Sequence, residues 1–99
     1  MTPTELKKKC EKIKVIPVAA FSNTAEAAAV AELLLEYEID ILEITARTKE
    51  AFECIEFISK KYPEIIIGAG SITSEDQLKN AIDAGSMFNT PPCYSIYMA

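Results

Sequence analysis

The chain contains no histidine. That removes Ser-His-Asp and Cys-His catalysis, histidine-based zinc sites and any histidine general base. Whatever chemistry it performs must use carboxylates, lysines, hydroxyls or backbone groups. Arginine occurs once, at Arg47, and the net charge is −5. A chain so acidic carries no electrostatic footprint for nucleic acid. No apolar run approaches the roughly 18 residues of a membrane span. The first 13 residues are rich in Lys and Glu and lack the apolar core of a signal peptide. Cys10, Cys54 and Cys93 are widely spaced, odd in number and without a C-x-x-C pair, so reduced thiols are expected rather than a disulfide framework. A soluble, cytoplasmic protein is the expectation, with neither nucleic acid nor membrane as partner. At 99 residues there is room for one domain, and too little chain for a complete (β/α)8 barrel, which needs roughly 200 residues.

What is present is an alternation. Short apolar runs stand at 15–20, 39–45 and 65–69, with a weaker one at 86–88. Helical patterns fill the spaces at 25–37, 50–62 and 75–84. Ala27, Val30, Ala31 and Leu34 form the stripe of the first, and Leu78, Ala81 and Ile82 that of the third. Asn23 with Glu26 and Ser74 with Gln77 have capping-box spacing, and Thr48 is a cap candidate for the middle helix. Pro63 and Gly85 are stop signals. Residues 3–13 read as a leading amphipathic helix capped by Thr2 or Thr4, with Leu6, Cys10 and Ile13 on one side. Strands alternating with helices imply an α/β fold with a parallel sheet, in the order α-(βα)3-β. The expected organisation is one domain over 1–99: leading helix 1–13, α/β region 14–89, tail 90–99. Either an open sheet with helices on both faces or half of a (β/α)8 TIM-type barrel fits this order.

Three features could carry chemistry. Glu43, Thr45 and Arg47 alternate in L-E-I-T-A-R-T, which directs them to one face while Leu42 and Ile44 go under a helix. Either Glu43 and Arg47 form a structural ion pair, or they stand at the C-terminal mouth of the sheet, where α/β proteins bind ligands. Residues 68–74 (GAGSITS) read as a strand end, a Gly-rich turn and a helix cap. That is an anion-binding arrangement or simply a tight turn. Lys14 and Lys49 are the strand-proximal amines, and neither has the apolar surroundings that a Schiff-base lysine requires. The tail leaves regular structure at Pro91–Pro92 and ends apolar.

V-I-P-V at 15–18, L-E-I-T-A-R-T at 42–48, I-I-G-A-G-S-I-T at 66–73 and D-A-G-S-M-F at 83–88 together resemble the KDPG/KHG (2-keto-3-deoxy-6-phosphogluconate / 4-hydroxy-2-oxoglutarate) aldolase family, over about residues 5–88. The resemblance implies a (β/α)8 barrel of which this chain is the N-terminal half, usually in an oligomer. It implies metal-free, cofactor-free retro-aldol cleavage of a 2-keto-4-hydroxy acid to pyruvate and an aldehyde. Carried over by motif, Glu43 is the general acid/base. Arg47 binds the substrate anion, with Thr45, Gly70 and Ser71 beside it. The sequence departs from the family after Phe88, and the family's Schiff-base lysine lies on a later strand than this chain reaches. These 99 residues alone are therefore expected to be inactive. Alternatives are a non-catalytic self-associating scaffold and a small anion-binding module for a keto acid or phosphate-type anion. A lone half-barrel would leave its inner face wet, with Pro17, Ala19, Ile41 and Ile66 expected there, so a homo-oligomer is expected.

Overall fold

A computed structural model of the chain describes residues 2–5 and 16–91. Most of the leading helix, with Leu6, Cys10, Ile13 and Lys14, lies outside the described residues, as does the tail from Pro92. At the start of the chain residues 3–5 are helical, and the Thr2 hydroxyl accepts the Glu5 N–H at 3.1 Å.

The remainder alternates as the apolar runs require: β1 (Val18–Ala19), α1 (Thr24–Glu36), β2 (Ile41–Thr45), α2 (Ala51–Lys61), β3 (Ile66–Gly70), α3 (Glu75–Ala84) and β4 (Phe88–Asn89). All pairings are parallel and the spatial order is β1-β2-β3-β4. The helix starts follow their sequence signals. Asn23 accepts the Glu26 N–H, and the Glu26 carboxylate accepts the Ser22 N–H. Ser74 accepts the Gln77 N–H. Each side chain satisfies a backbone donor that has no partner within the helix. Gly85 ends α3 at φ 110°, and Pro63 follows the end of α2.

Two helix ends are made differently from the expectation. Thr48 does not cap α2 through its hydroxyl. Its carbonyl accepts the Ala51 N–H at 3.2 Å, Glu50 occupies the cap position in a helical conformation, and the Thr48 hydroxyl is buried without a partner among the described residues. The tight turn after β2 consumes the residues that a side-chain cap would need. At the end of α1, Glu38 adopts φ 60° and the Ile39 N–H closes onto the Leu34 carbonyl at 2.8 Å. This six-to-one closure normally uses glycine, and it delays the start of β2 to Ile41.

One hydrophobic cluster joins the sheet to all three helices. Leu42, Ile44, Ile67 and Ala69 from the sheet meet Ala27 and Ala31 of α1, Ala51, Cys54, Ile55 and Ile58 of α2, and Ala81 and Ala84 of α3. Burial of each large side chain contributes roughly 1.5–3 kcal/mol. Sequential strand order with every helix on the same face is the wall of a barrel, and it excludes the open doubly wound sheet. The opposite face carries Val18, Ile41, Glu43, Thr45, Ile66, Gly68, Gly70 and Phe88, as the pairing register requires. Ile41 and Ile66 are there as expected, but Pro17 and Ala19 are not. Val18 pairs with Glu43 and Ala19 with Ile44, so Val18 shares the face of Glu43 while Ala19 packs against the helix-side core. A uniformly apolar run gives no alternation from which to read that phase.

Candidate functional site

The site is built on the inner face of β2 and β3. Leu42 and Ile44 are fully buried under the helices, and the period of two turns Glu43 and Thr45 to the other side. A half-buried carboxylate in a strand needs hydrogen-bond donors, and Glu43 has one. Its Oε1 accepts the Thr90 hydroxyl at 2.7 Å. The rest of the carboxyl group lies across Gly70. A Cβ built at position 70 would stand 2.7 Å from both Cδ and Oε2 of Glu43. Oε2 has no donor among the described residues.

The glycines of the Gly-rich stretch therefore play a different part from the expected turn. Both Gly68 and Gly70 lie within β3. Gly68 makes room for the Phe88 ring, and Gly70 for Glu43. The turn itself begins at Ser71, which holds φ 58°, an uncommon conformation for a residue with a Cβ. Its neighbours are fixed: the Ile72 N–H donates to the Thr90 carbonyl at 3.0 Å, and both the N–H and the hydroxyl of Thr73 donate to Gln77 Oε1. The Ser71 hydroxyl bonds to nothing among the described residues.

Arg47 lies beyond the end of β2, in the exposed turn leading to α2. Strand alternation stops at Thr45, so Arg47 is near the mouth but does not share a strand face with Glu43. The two form no ion pair; Glu43 is bonded to Thr90 instead. The turn is tied down at Ala46, whose N–H donates to the Gly70 carbonyl at 2.7 Å and whose carbonyl accepts Gln77 Nε2 at 3.5 Å. The Thr45 hydroxyl is buried without a partner. Lys49 is exposed in the same turn, and Lys60, Lys61 and Lys79 are exposed on helices. Burial, and after it the carboxylates of Glu53, Glu50 and Glu26, push the Cys54 thiol up, which suits an inert core residue rather than a nucleophile. Among the described residues no group of three or more Cys, Asp or Glu side chains is placed to hold a metal ion, and no helix is long and apolar enough to cross a membrane.

Thr90 and Gln77 were not singled out by sequence as site residues. Gln77 appears there only as half of a capping box. The signal for Thr90 was its spacing from Phe88, which puts both on the inner face of β4 if the strand runs one residue further.

Residues 6–98 match the family described as aldolase: KDPG and KHG aldolase. The chain belongs to this family. Among KDPG and KHG aldolases, the 2-dehydro-3-deoxy-phosphogluconate aldolase of Pseudoalteromonas atlantica is 37% identical over 78 residues, covering 79% of this chain and 36% of that protein. The KHG/KDPG aldolase of Escherichia coli K12 is 35% identical, covering 79% of this chain and 37% of that one. The KDPG aldolase of Legionella pneumophila, solved with pyruvate captured as a covalent carbinolamine, superposes with a TM-score of 0.75 at 30% identity, over 84% of this chain and 40% of that chain. This chain thus spans little more than a third of the length of the curated KDPG and KHG aldolases it matches. Its four parallel strands correspond to part of a TIM barrel.

Proposed function

We propose that these residues form the N-terminal half of a class I aldolase barrel that cleaves a 2-keto-4-hydroxy acid to pyruvate and an aldehyde. The observation that carries the reading is Glu43: a half-buried carboxylate on the inner face of β2, seated over Gly70, with one oxygen held by Thr90 and the other unbonded. That is the arrangement of a general base or acid whose proton-bearing atom is fixed. In this reading Glu43 takes the proton from the C4 hydroxyl as the C3–C4 bond breaks. Arg47, Ser71, Thr45 and the backbone at Gly70 receive the anionic end of the keto acid or a phosphate. The electron pair of the breaking bond needs an iminium to accept it, and none of the four described lysines is desolvated as an iminium-forming amine must be. In this reading another polypeptide segment supplies the amine, and these residues tested alone are expected to lack turnover. Among the described residues β1 and β4 have no further strand neighbour, and this, with the exposed Val18, supports association with a second copy.

Borohydride reduction in the presence of pyruvate tests the reading. No covalent adduct forms on the isolated chain, while pyruvate or phosphate added without borohydride shifts the NMR signals of Arg47, Gly70 and Ser71, and Arg47→Ala weakens that binding. A trapped adduct, lost when Lys49 is changed to Met, would overturn the inactivity. Silent signals at all three residues would favour a scaffold with no ligand.

A further inference from the structure

The Glu43–Thr90 contact reaches across an intervening strand, from β2 over β3 to the end of β4, and nothing in the motifs of β2 required it. We propose that Thr90 is a positioning residue for Glu43. It holds the carboxylate in one orientation over Gly70, so that Oε2 alone is presented to the substrate. The proposal rests on the reading of Glu43 as the proton-transfer group.

Three observations support this role. First, Thr90 is itself anchored. Its N–H donates to the Ala69 carbonyl at 2.9 Å and its carbonyl accepts the Ile72 N–H at 3.0 Å, so both backbone groups are committed to neighbouring chain. A donor fixed in this way holds its acceptor without losing further conformational freedom, which is what a supporting residue must do. Second, the side chain is β-branched. Threonine has few χ1 choices, and the observed one puts the hydroxyl, not the methyl, against Oε1. Third, Gly70 gives no lateral support. Its missing side chain lets the carboxyl lie on the strand, but supplies no hydrogen-bonding side chain to orient it. A single hydroxyl donor is then the only polar restraint on Glu43 among the described residues. The same backbone anchor connects the two sides of the mouth: the Ile72 N–H that bonds Thr90 belongs to the turn carrying Ser71, so Glu43 and the Ser71 turn take their positions from one residue.

NMR of the whole chain tests the assignment through cross-relaxation between the Glu43 γ protons and the Gly70 α protons. In the wild type this cross-peak is expected to be strong. Thr90→Val, which keeps the shape and both backbone bonds, is expected to weaken it several-fold with the amide spectrum elsewhere unchanged. Thr90→Ser, which restores a hydroxyl, is expected to recover it. The converse measurement does not depend on the valine variant folding: the Thr90 hydroxyl proton is expected to exchange slowly in the wild type and fast in Glu43→Ala. An undiminished cross-peak in Thr90→Val, or an equally slow hydroxyl in Glu43→Ala, would overturn the proposal. Neither measurement involves turnover. If a catalytically complete barrel keeps its activity with Glu43→Gln, the functional reading fails while the positioning result stands.

Discussion

A methyl group at position 70 has nowhere to go except into Glu43, since the three atoms nearest a Cβ there all belong to that side chain. Gly70→Ala is expected to lift the carboxyl off the strand and break its bond to Thr90, at about 1–3 kcal/mol of stability, the usual range for inserting a methyl into a filled site. Urea unfolding measures the cost. In a Glu43→Ala background the same substitution should cost clearly less, because the obstructing atoms are gone. This also bears on what the sequence could say about the site. Glu43 and the two glycines were visible as motifs, but the place of the glycines within the strand was not. Glycines near a helix start suggest a turn for an anion, whereas here they are gaps in a strand filled by a carboxyl group and an aromatic ring. The register pairs Glu43 with Gly68 and Thr45 with Gly70, so Glu43 reaches the gap at Gly70 diagonally while Phe88 fills the gap at its own partner Gly68, and no sequence motif shows which side chain crosses which gap.

At the scale of elements, local signals worked where the interaction is local. Asn23 and Ser74 each bond a backbone N–H three residues on, so replacement by Ala should cost about 1 kcal/mol apiece. Thr48 looked equivalent in sequence but is not. Its hydroxyl is buried without a partner, so Thr48→Val should leave stability unchanged or raise it. Thermal melts of the three variants separate true caps from an apparent one. The strands show the same division. β2 announces its two faces through Glu43 and Thr45 among apolar residues, and its phase was legible. β1 is apolar throughout, and its phase is set by the Glu43 N–H donating to the Pro17 carbonyl at 2.9 Å. Thr90 escaped notice for a related reason: its bonds go to Ala69, Ile72 and Glu43, all distant in sequence, and the prolines after it suggested that structure had already ended.

At the scale of the molecule, the inner face is not the uniformly wet surface expected of a lone half-barrel: Ile41 and Ile66 are 0% and 2% exposed, and only the β1 side of that face is open. Val18 is 57% exposed there, and on the outside Leu33, Tyr37 and Ile82 are 52%, 70% and 55% exposed. Apolar surface left open in this way, beside two unpaired strand edges, favours association. Sedimentation velocity at micromolar concentration is expected to show a species heavier than the 10.9 kDa chain, and Val18→Lys should shift it toward monomer. A wild-type monomer under those conditions would refute the expectation.

The strand order has a temporal consequence. Because each strand pairs only with its predecessor and successor in sequence, no pairing has to wait for a distant part of the chain. Loop closure between successive units then costs little entropy compared with pairing ends far apart. A polypeptide emerging from the ribosome N-terminus first can add each βα unit to the one already formed. The five-residue register between β2 and β3 is the longest pairing and is expected to form first, with the two-residue pairings at either side joining later. The carboxylate of Glu43 is in place once that nucleus exists, but it becomes oriented only when Thr90 arrives with β4. The Glu43–Thr90 contact is thus expected to form last, after the framework that carries it.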